Sequence, residues 1–168
     1  PDVDDTAVVA VAMERAQQLK QNDAYRDSIA RAREWVVGMQ SSDGGWGAFE
    51  PENTQYYLNN IPFSDHGALL DPPTADVSGR CLSMLSQLGE TPLNSEPARR
   101  ALDYMLKEQE PDGSWYGRWG MNYVYGTWTA LCSLNAAGLT PDDPRMKRGA
   151  QWLLSIQNKD GGWGEDGD

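Results

Sequence analysis

Apolar positions in this chain recur at helical spacing, and several of the runs they form stop at a glycine. From Thr6 to Gln21 the chain is rich in Ala and Val, which predicts a first helix. From Asp76 to Leu88 the residues Val77, Cys81, Leu82, Met84, Leu85 and Leu88 form an apolar face, and Gly89 ends it. From Tyr123 to Ala137 small and apolar residues dominate, and Gly138 follows. Three helices of a second kind alternate with these. Ala30 with Trp35, Ala101 with Met105, and Ala150 with Leu154 mark their predicted buried faces. The pattern predicts three helical hairpins, an all-α chain, and no convincing strand.

The second kind of helix ends in a repeated unit, and such repeats decide architecture before anything else does. Arg31, Trp35, Gln40, Asp43, Gly44, Gly45 and Trp46 make the first unit. Arg100, Tyr104, Gln109, Asp112, Gly113, Ser114 and Trp115 make the second at identical spacing. Arg148, Trp152, Gln157, Asp160, Gly161, Gly162 and Trp163 make the third. Asp-Gly stops each helix, because Gly accepts the left-handed cap conformation at low cost. Gln can bond backbone groups left open at helix ends, and the Trp folds back onto the structure. This is scaffold chemistry. The step from Trp46 to Trp115 is longer than that from Trp115 to Trp163, so an insertion lies in the first interval. The stretch from Ser41 to Pro73 holds it, with Phe49, Tyr56, Tyr57 and Phe63 among four prolines. A long irregular segment inside a compact domain is usually functional or disordered, and its aromatics favour function.

Composition narrows the field. The length of 168 residues suits one ordinary domain, and the net charge of −11 argues against nucleic-acid partners. Cys81 and Cys132 lie far apart and fit no disulfide or metal pattern, which favours reduced thiols. No apolar run is long enough to cross a bilayer. Seven Trp and seven Tyr against two Phe is an unusual aromatic load, to be spent on packing or on a ligand.

The chemistry concentrates at Asp2-Val3-Asp4-Asp5-Thr6-Ala7, three carboxylates around one bend at a helix start. Like charges a few ångströms apart cannot all ionise cheaply, so such a cluster tends to hold a proton at neutral pH. Helix capping explains one Asp well and three poorly. A carboxylate-only Mg²⁺ site usually needs further ligands or phosphates.

These residues carry a resemblance. The acidic motif, the three Gln/Trp units, and the stretches Ile61-Pro62-Phe63, Asp71 to Val77 and Gly117 to Thr127 together resemble the squalene–hopene cyclase family over essentially the whole chain. The resemblance implies an α/α toroid, a double-layered helical barrel, that folds a linear polyene in an aromatic-lined cavity. Residues 1–168 would be part of one toroidal catalytic domain. The chain starts almost on its acidic motif and stops just after a repeat, so it would be a fragment of a longer two-domain chain, inactive alone. Squalene is the implied substrate, cyclised to hopene or hopanol, with no cofactor and no metal. The full-length enzyme would attach peripherally to the cytoplasmic face of a membrane, with homodimerisation an option.

The resemblance also assigns roles. Asp4 is the proton donor, with Asp2 and Asp5 holding its proton's orientation and the local charge. Trp119 and Tyr125 match positions at the protonation end of the cavity, and Phe49 matches an aromatic wall; core packing is the plain alternative for Trp119 and Phe49. Many members carry a His that hydrogen-bonds the acidic Asp, four residues after the position of Asp76. Here that position is Arg80, and Asp76 and Arg80 join the catalytic set. The alternative pairs Arg80 with Asp76 across one helical turn. His66, the only histidine, reads as aromatic wall. Rival readings fit less well. Oxidosqualene cyclases carry Cys in place of one Asp. Diterpene cyclases lack such regular Gln/Trp units. A zinc prenyltransferase subunit needs an Asp/Cys/His set that one His makes hard to assemble. A non-catalytic helical-repeat module leaves the acid cluster unexplained.

Overall fold

The computed structural model describes residues 2–61 and 69–166. Among the described residues six α-helices carry the fold: α1 (Val3–Lys20), α2 (Arg26–Gly38), α3 (Ala75–Gln87), α4 (Glu96–Lys107), α5 (Asn122–Ala136) and α6 (Pro144–Ser155). A 3₁₀ turn, Tyr56–Asn60, lies in the long irregular segment. Among the described residues the only β pairing is an isolated bridge between Asn53 and Asp71. Helix α1 starts ahead of its expected position because Asp2 caps it, accepting the backbone N–H of Asp5 at 3.3 Å. The acidic residues Asp4 and Asp5 therefore sit inside the first helical turn, facing the positive end of the helix dipole.

The helices pair as α1 with α2, α3 with α4 and α5 with α6, and α3 also packs on both α1 and α5. Helices α1, α3 and α5 form one layer and α2, α4 and α6 the other, which is an arc of an α/α toroid. Helix α3 is its centre, burying nine residues from Ala75 to Leu85. Gly79 lets α3 approach α5 closely, since a Cβ there would lie 2.9 Å from the Thr129 methyl.

The repeated units act as corners between the layers. Trp46 and Trp115 are fully buried. Each indole N–H donates back to its own helix, Trp46 to Val36 O at 2.7 Å and Trp115 to Met105 O at 2.7 Å. Each backbone N–H donates forward to a buried hydroxyl of the other layer, Ser78 Oγ and Thr127 Oγ1, both at 2.9 Å. The glutamine amides tie the corner to the next unit: Gln40 reaches Gly44 O and Pro97 O, and Gln109 reaches Gly113 O and Arg145 O. Gly44 and Gly113 turn the chain with φ of 99° and 101°, a region that L side chains avoid.

Two expected faces are corrected. Ala101 and Met105 are buried on α4, but on α2 Ala30 is exposed, Trp35 packs half-buried against the core, and Ile29 and Val36 are the buried positions. On α6 the buried residues are Met146 and Gly149, whereas Ala150 and Leu154 face outward, Leu154 with 67% exposure. The helical period allows either stripe; the corner selects, because Gly149 lies against the Trp115 ring.

The corner makes two stability predictions. Trp115→Ala should cost about 3–5 kcal/mol through the cavity it leaves. Thr127→Val, nearly the same shape, should cost about 1–3 kcal/mol because the buried Trp115 N–H loses its acceptor. Denaturant titration checks both, and a neutral Thr127→Val would reduce the corner to apolar filling.

Candidate active site

The start of α1 is pinned by the loop that follows Trp46. The Val3 N–H donates to Ala48 O at 2.8 Å, and the Thr6 hydroxyl donates to Asp2 O at 2.6 Å. Carboxylate oxygens of Asp2, Asp4 and Asp5 consequently lie within 4.8 Å of one another. Asp5 is exposed, whereas the Asp4 side chain is only 16% exposed. That spacing would suit a shared proton or a shared cation. The proton is favoured by Arg80, whose Nε lies 3.5 Å from Asp4 Oδ2 and supplies positive charge already.

Burial above all, with the neighbouring carboxyls, holds the Asp4 carboxyl at about 7 instead of the ordinary 3.8. Within that net shift the hydrogen bond with Asp2 and the Asp2 charge act upward after burial, Arg80 pulls down, and Asp5 adds a smaller upward push. Directly beneath sits Cys81, fully buried, its thiol pushed up by burial and then by the charges of Asp4 and Asp2.

Arg80 points at Asp4 and Tyr125. Its Nη2 donates to the Tyr125 hydroxyl, and its Cζ lies 5.6 Å from the centre of that ring. Tyr125 in turn stands 5.9 Å from Trp128. The alternative pairing of Arg80 with Asp76 is not formed, because the Asp76 oxygens are otherwise engaged. Oδ1 accepts from the Thr74 hydroxyl at 2.6 Å and Oδ2 accepts the Trp119 backbone N–H at 2.8 Å. Asp76 is 1% exposed and meets the site through Trp119.

Phe49 and Trp119 form the second group. Their rings meet edge to face at 5.6 Å and 87°, and they are 43% and 36% exposed. Both lie at the surface rather than in the core. Arg118 covers the Trp119 ring at 5.3 Å and donates to Leu70 O at 2.7 Å. A residue without an assigned role in the sequence holds the loop that carries Phe49. Asp71, 1% exposed, accepts the backbone N–H groups of Ala48, Phe49 and Glu50 at 2.9, 2.6 and 3.0 Å. The only sequence signal for it was its place in the block from Asp71 to Val77. His66 and Phe63 lie outside the described residues.

Helical hairpins stacked so that one end carries a proton-holding carboxyl define the chain as part of an α/α toroid with an acid centre. Residues 1–168 match the family described as squalene-hopene cyclase C-terminal domain, and the chain belongs to the squalene–hopene cyclase family. It is 61% identical over 166 residues to the squalene–hopene cyclase of Bradyrhizobium diazoefficiens, an alignment covering 99% of this chain and 25% of that protein. It is 59% identical over 169 residues to the Zymomonas mobilis squalene–hopene cyclase, covering 100% of this chain and 26% of the relative. The dammaradiene synthase of Dryopteris crassirhizoma is 39% identical over 182 residues, covering 98% and 26%. The chain spans about a quarter of the length of these curated relatives.

The raised Asp4 has a signed consequence. The native state binds its proton up to about pH 7, and the unfolded state only up to about 3.8. The stability it contributes is therefore complete below about pH 3.8 and is lost as pH rises through 7. Carboxyl-carbon NMR should show Asp4 titrating near neutrality, Arg80→Leu should move the midpoint higher, and Asp4→Asn should flatten stability across that window. Ordinary titration near pH 4 would contradict this reading.

Proposed function

We propose that this chain forms the acid end of an enzyme that cyclises squalene to pentacyclic hopanoids. The observation that carries the reading is Asp4: a half-buried carboxyl that keeps its proton near neutral pH, beside a guanidinium and aromatic faces. Family membership and the printed names of the bacterial relatives support it.

Asp4 would give its proton to a terminal double bond, at the carbon bearing hydrogen, leaving a tertiary cation. Each following double bond attacks in turn and passes the charge onward. The last cation loses a proton to give hopene, or takes up water and then loses a proton to give hopanol. The proton count closes: one is taken from Asp4 and one is released. Aromatic faces stabilise the travelling cation by about 2 kcal/mol or more when desolvated, without a nucleophile that would trap it. Phe49, Trp119 and Tyr125 serve that role. Asp2 and Asp5 raise the proton affinity of Asp4, and Arg80 steadies the carboxylate left after transfer.

Squalene has no polar group, which supports delivery from a bilayer and peripheral attachment of the full-length enzyme at the cytoplasmic face of a membrane. Among the described residues no helix is long and apolar enough to cross one.

In the full-length enzyme, Asp4→Asn should lower cyclisation by at least about 10²–10⁴-fold, the span of general-acid catalysis, with circular dichroism unchanged. Arg80→Leu should slow turnover strongly, and Arg80→His should keep more activity than Arg80→Leu. Gas chromatography with mass detection of squalene incubations measures all three. Pentacyclic product from Asp4→Asn at the wild-type level would refute the assignment.

A further inference from the structure

We propose that Asp71 is a positioning residue that holds the aromatic wall, and through it decides how far cyclisation runs before the cation is lost. The inference deepens the cyclase reading and rests on it. Asp71 is a carboxylate buried beneath an exposed loop, and its oxygens collect three successive backbone N–H groups. Oδ1 takes that of Ala48, while Oδ2 takes those of Phe49 and Glu50. Hydrogen bonds to a charged acceptor are short and among the stronger kind. The loop is shaped to the carboxylate. A Cβ at Gly47 would lie 2.9 Å from the Asp71 Cγ, so only glycine lets the chain wrap this tightly.

What the wrapping fixes is the direction of Phe49. The ring is 43% exposed and touches Trp119 only by its edge, so packing alone constrains it little. Its backbone is instead held on both sides, by Asp71 from below and by the Val3 N–H on Ala48 O. The other ring of the pair is held the same way, its Trp119 N–H donating to Asp76. Asp71 and Asp76 belong to one short segment, joined by Pro72, Pro73, Thr74 and Ala75, and the prolines restrict its backbone. Two carboxylates on one stiff segment thus set the spacing of two cation-facing rings. The Leu70 carbonyl, next to Asp71, also anchors the Arg118 side chain that lies over Trp119.

The chemical consequence follows from the cation. A ring displaced from the wall stabilises a nearby cation less and leaves room for water. A cation met too early loses a proton to give a partially cyclised alkene, or takes up water and loses a proton to give a partially cyclised alcohol. Either path still returns one proton for the one supplied by Asp4. Loosening the Phe49 loop should therefore change which products form, as well as how fast.

The test uses the full-length enzyme with squalene, comparing wild type, Asp71→Asn, Asp71→Glu and Leu134→Ala below their melting temperatures. Asn keeps one acceptor oxygen and turns an NH₂ toward the loop amides. Glu keeps the charge but displaces it. Leu134→Ala is a destabilised control: Leu134 is fully buried near the C-terminal end of α5, away from the wall at the helix N-terminal ends. The expected result is a roughly tenfold rise in the share of partially cyclised products for both Asp71 variants, with the control at the wild-type share. Adding Phe49→Ala to Asp71→Asn should shift products no further than Phe49→Ala alone. An unchanged product share in folded Asp71 variants, or an equal rise in the control, would overturn the proposal. So would Asp71 variants that fail to fold, since the carboxylate would then serve the scaffold. Wild type forming no cyclised product would instead strike the cyclase reading itself.

Discussion

The buried indole at the Trp46 and Trp115 corners is the interaction on which the rest of the structure depends. One side chain joins two layers: its ring N–H donates to the helix it has just left, and its backbone N–H donates to a hydroxyl in the facing helix. Both groups are fully buried, so neither bond can be exchanged for water without a penalty. The corner also decides where the next stretch of chain goes. After Trp46 the loop reaches the start of α1, where Ala48 O accepts from Val3. After Trp115 it reaches the start of α3, where Trp119 donates to Asp76. After Trp163 it reaches the start of α5, where Glu165 accepts the N–H groups of Tyr123 and Val124. Every post-corner loop thus gathers at the N-terminal ends of one helical layer. The acid and its aromatic rim sit there because the scaffold repeat delivers them to it.

At that end two electrostatic demands oppose each other. To be loaded at neutral pH, Asp4 must bind its proton more tightly than an ordinary aspartate, which burial and Asp2 achieve. To protonate an alkene, as we propose, it must also release that proton, which requires a stabilised carboxylate. Arg80 meets the second demand while partly undoing the first. Its placement between Asp4 and the Tyr125 hydroxyl fixes the guanidinium on both sides, so its charge is aimed rather than merely nearby. Arginine cannot give up a proton at this pH. Reloading of Asp4 must accordingly draw on water or on the neighbouring carboxyls.

The fold was largely legible because its signals are local. Glycine stops, apolar runs and the repeated Gln, Asp, Gly and Trp positions each act within a few residues; Gly89 and Gly138 close α3 and α5 as expected, whereas α2, α4 and α6 end before their Asp-Gly, whose glycine turns the corner loop instead. The buried stripes of α2 and α6 were misread, since a helix that touches its neighbours over a narrow face allows two registers and only the corner chooses between them. The acid cluster was legible as a crowd of like charges. A helical pair of Arg80 with Asp76 stood only as the alternative, and nothing in their spacing could show that Asp76 is already taken by Thr74 and Trp119. Asp71 was legible only as part of a motif. Its partners are backbone N–H groups distant in sequence, and any residue type could have supplied them.

The central claim is that a carboxyl exchanging its proton with solvent starts the reaction. Running the full-length enzyme on squalene in heavy water tests it most directly. The account predicts a single deuterium in the product, on the ring methylene beside the gem-dimethyl carbon, where the proton from Asp4 lands. Product without deuterium, or with deuterium scattered over several ring positions, would contradict it.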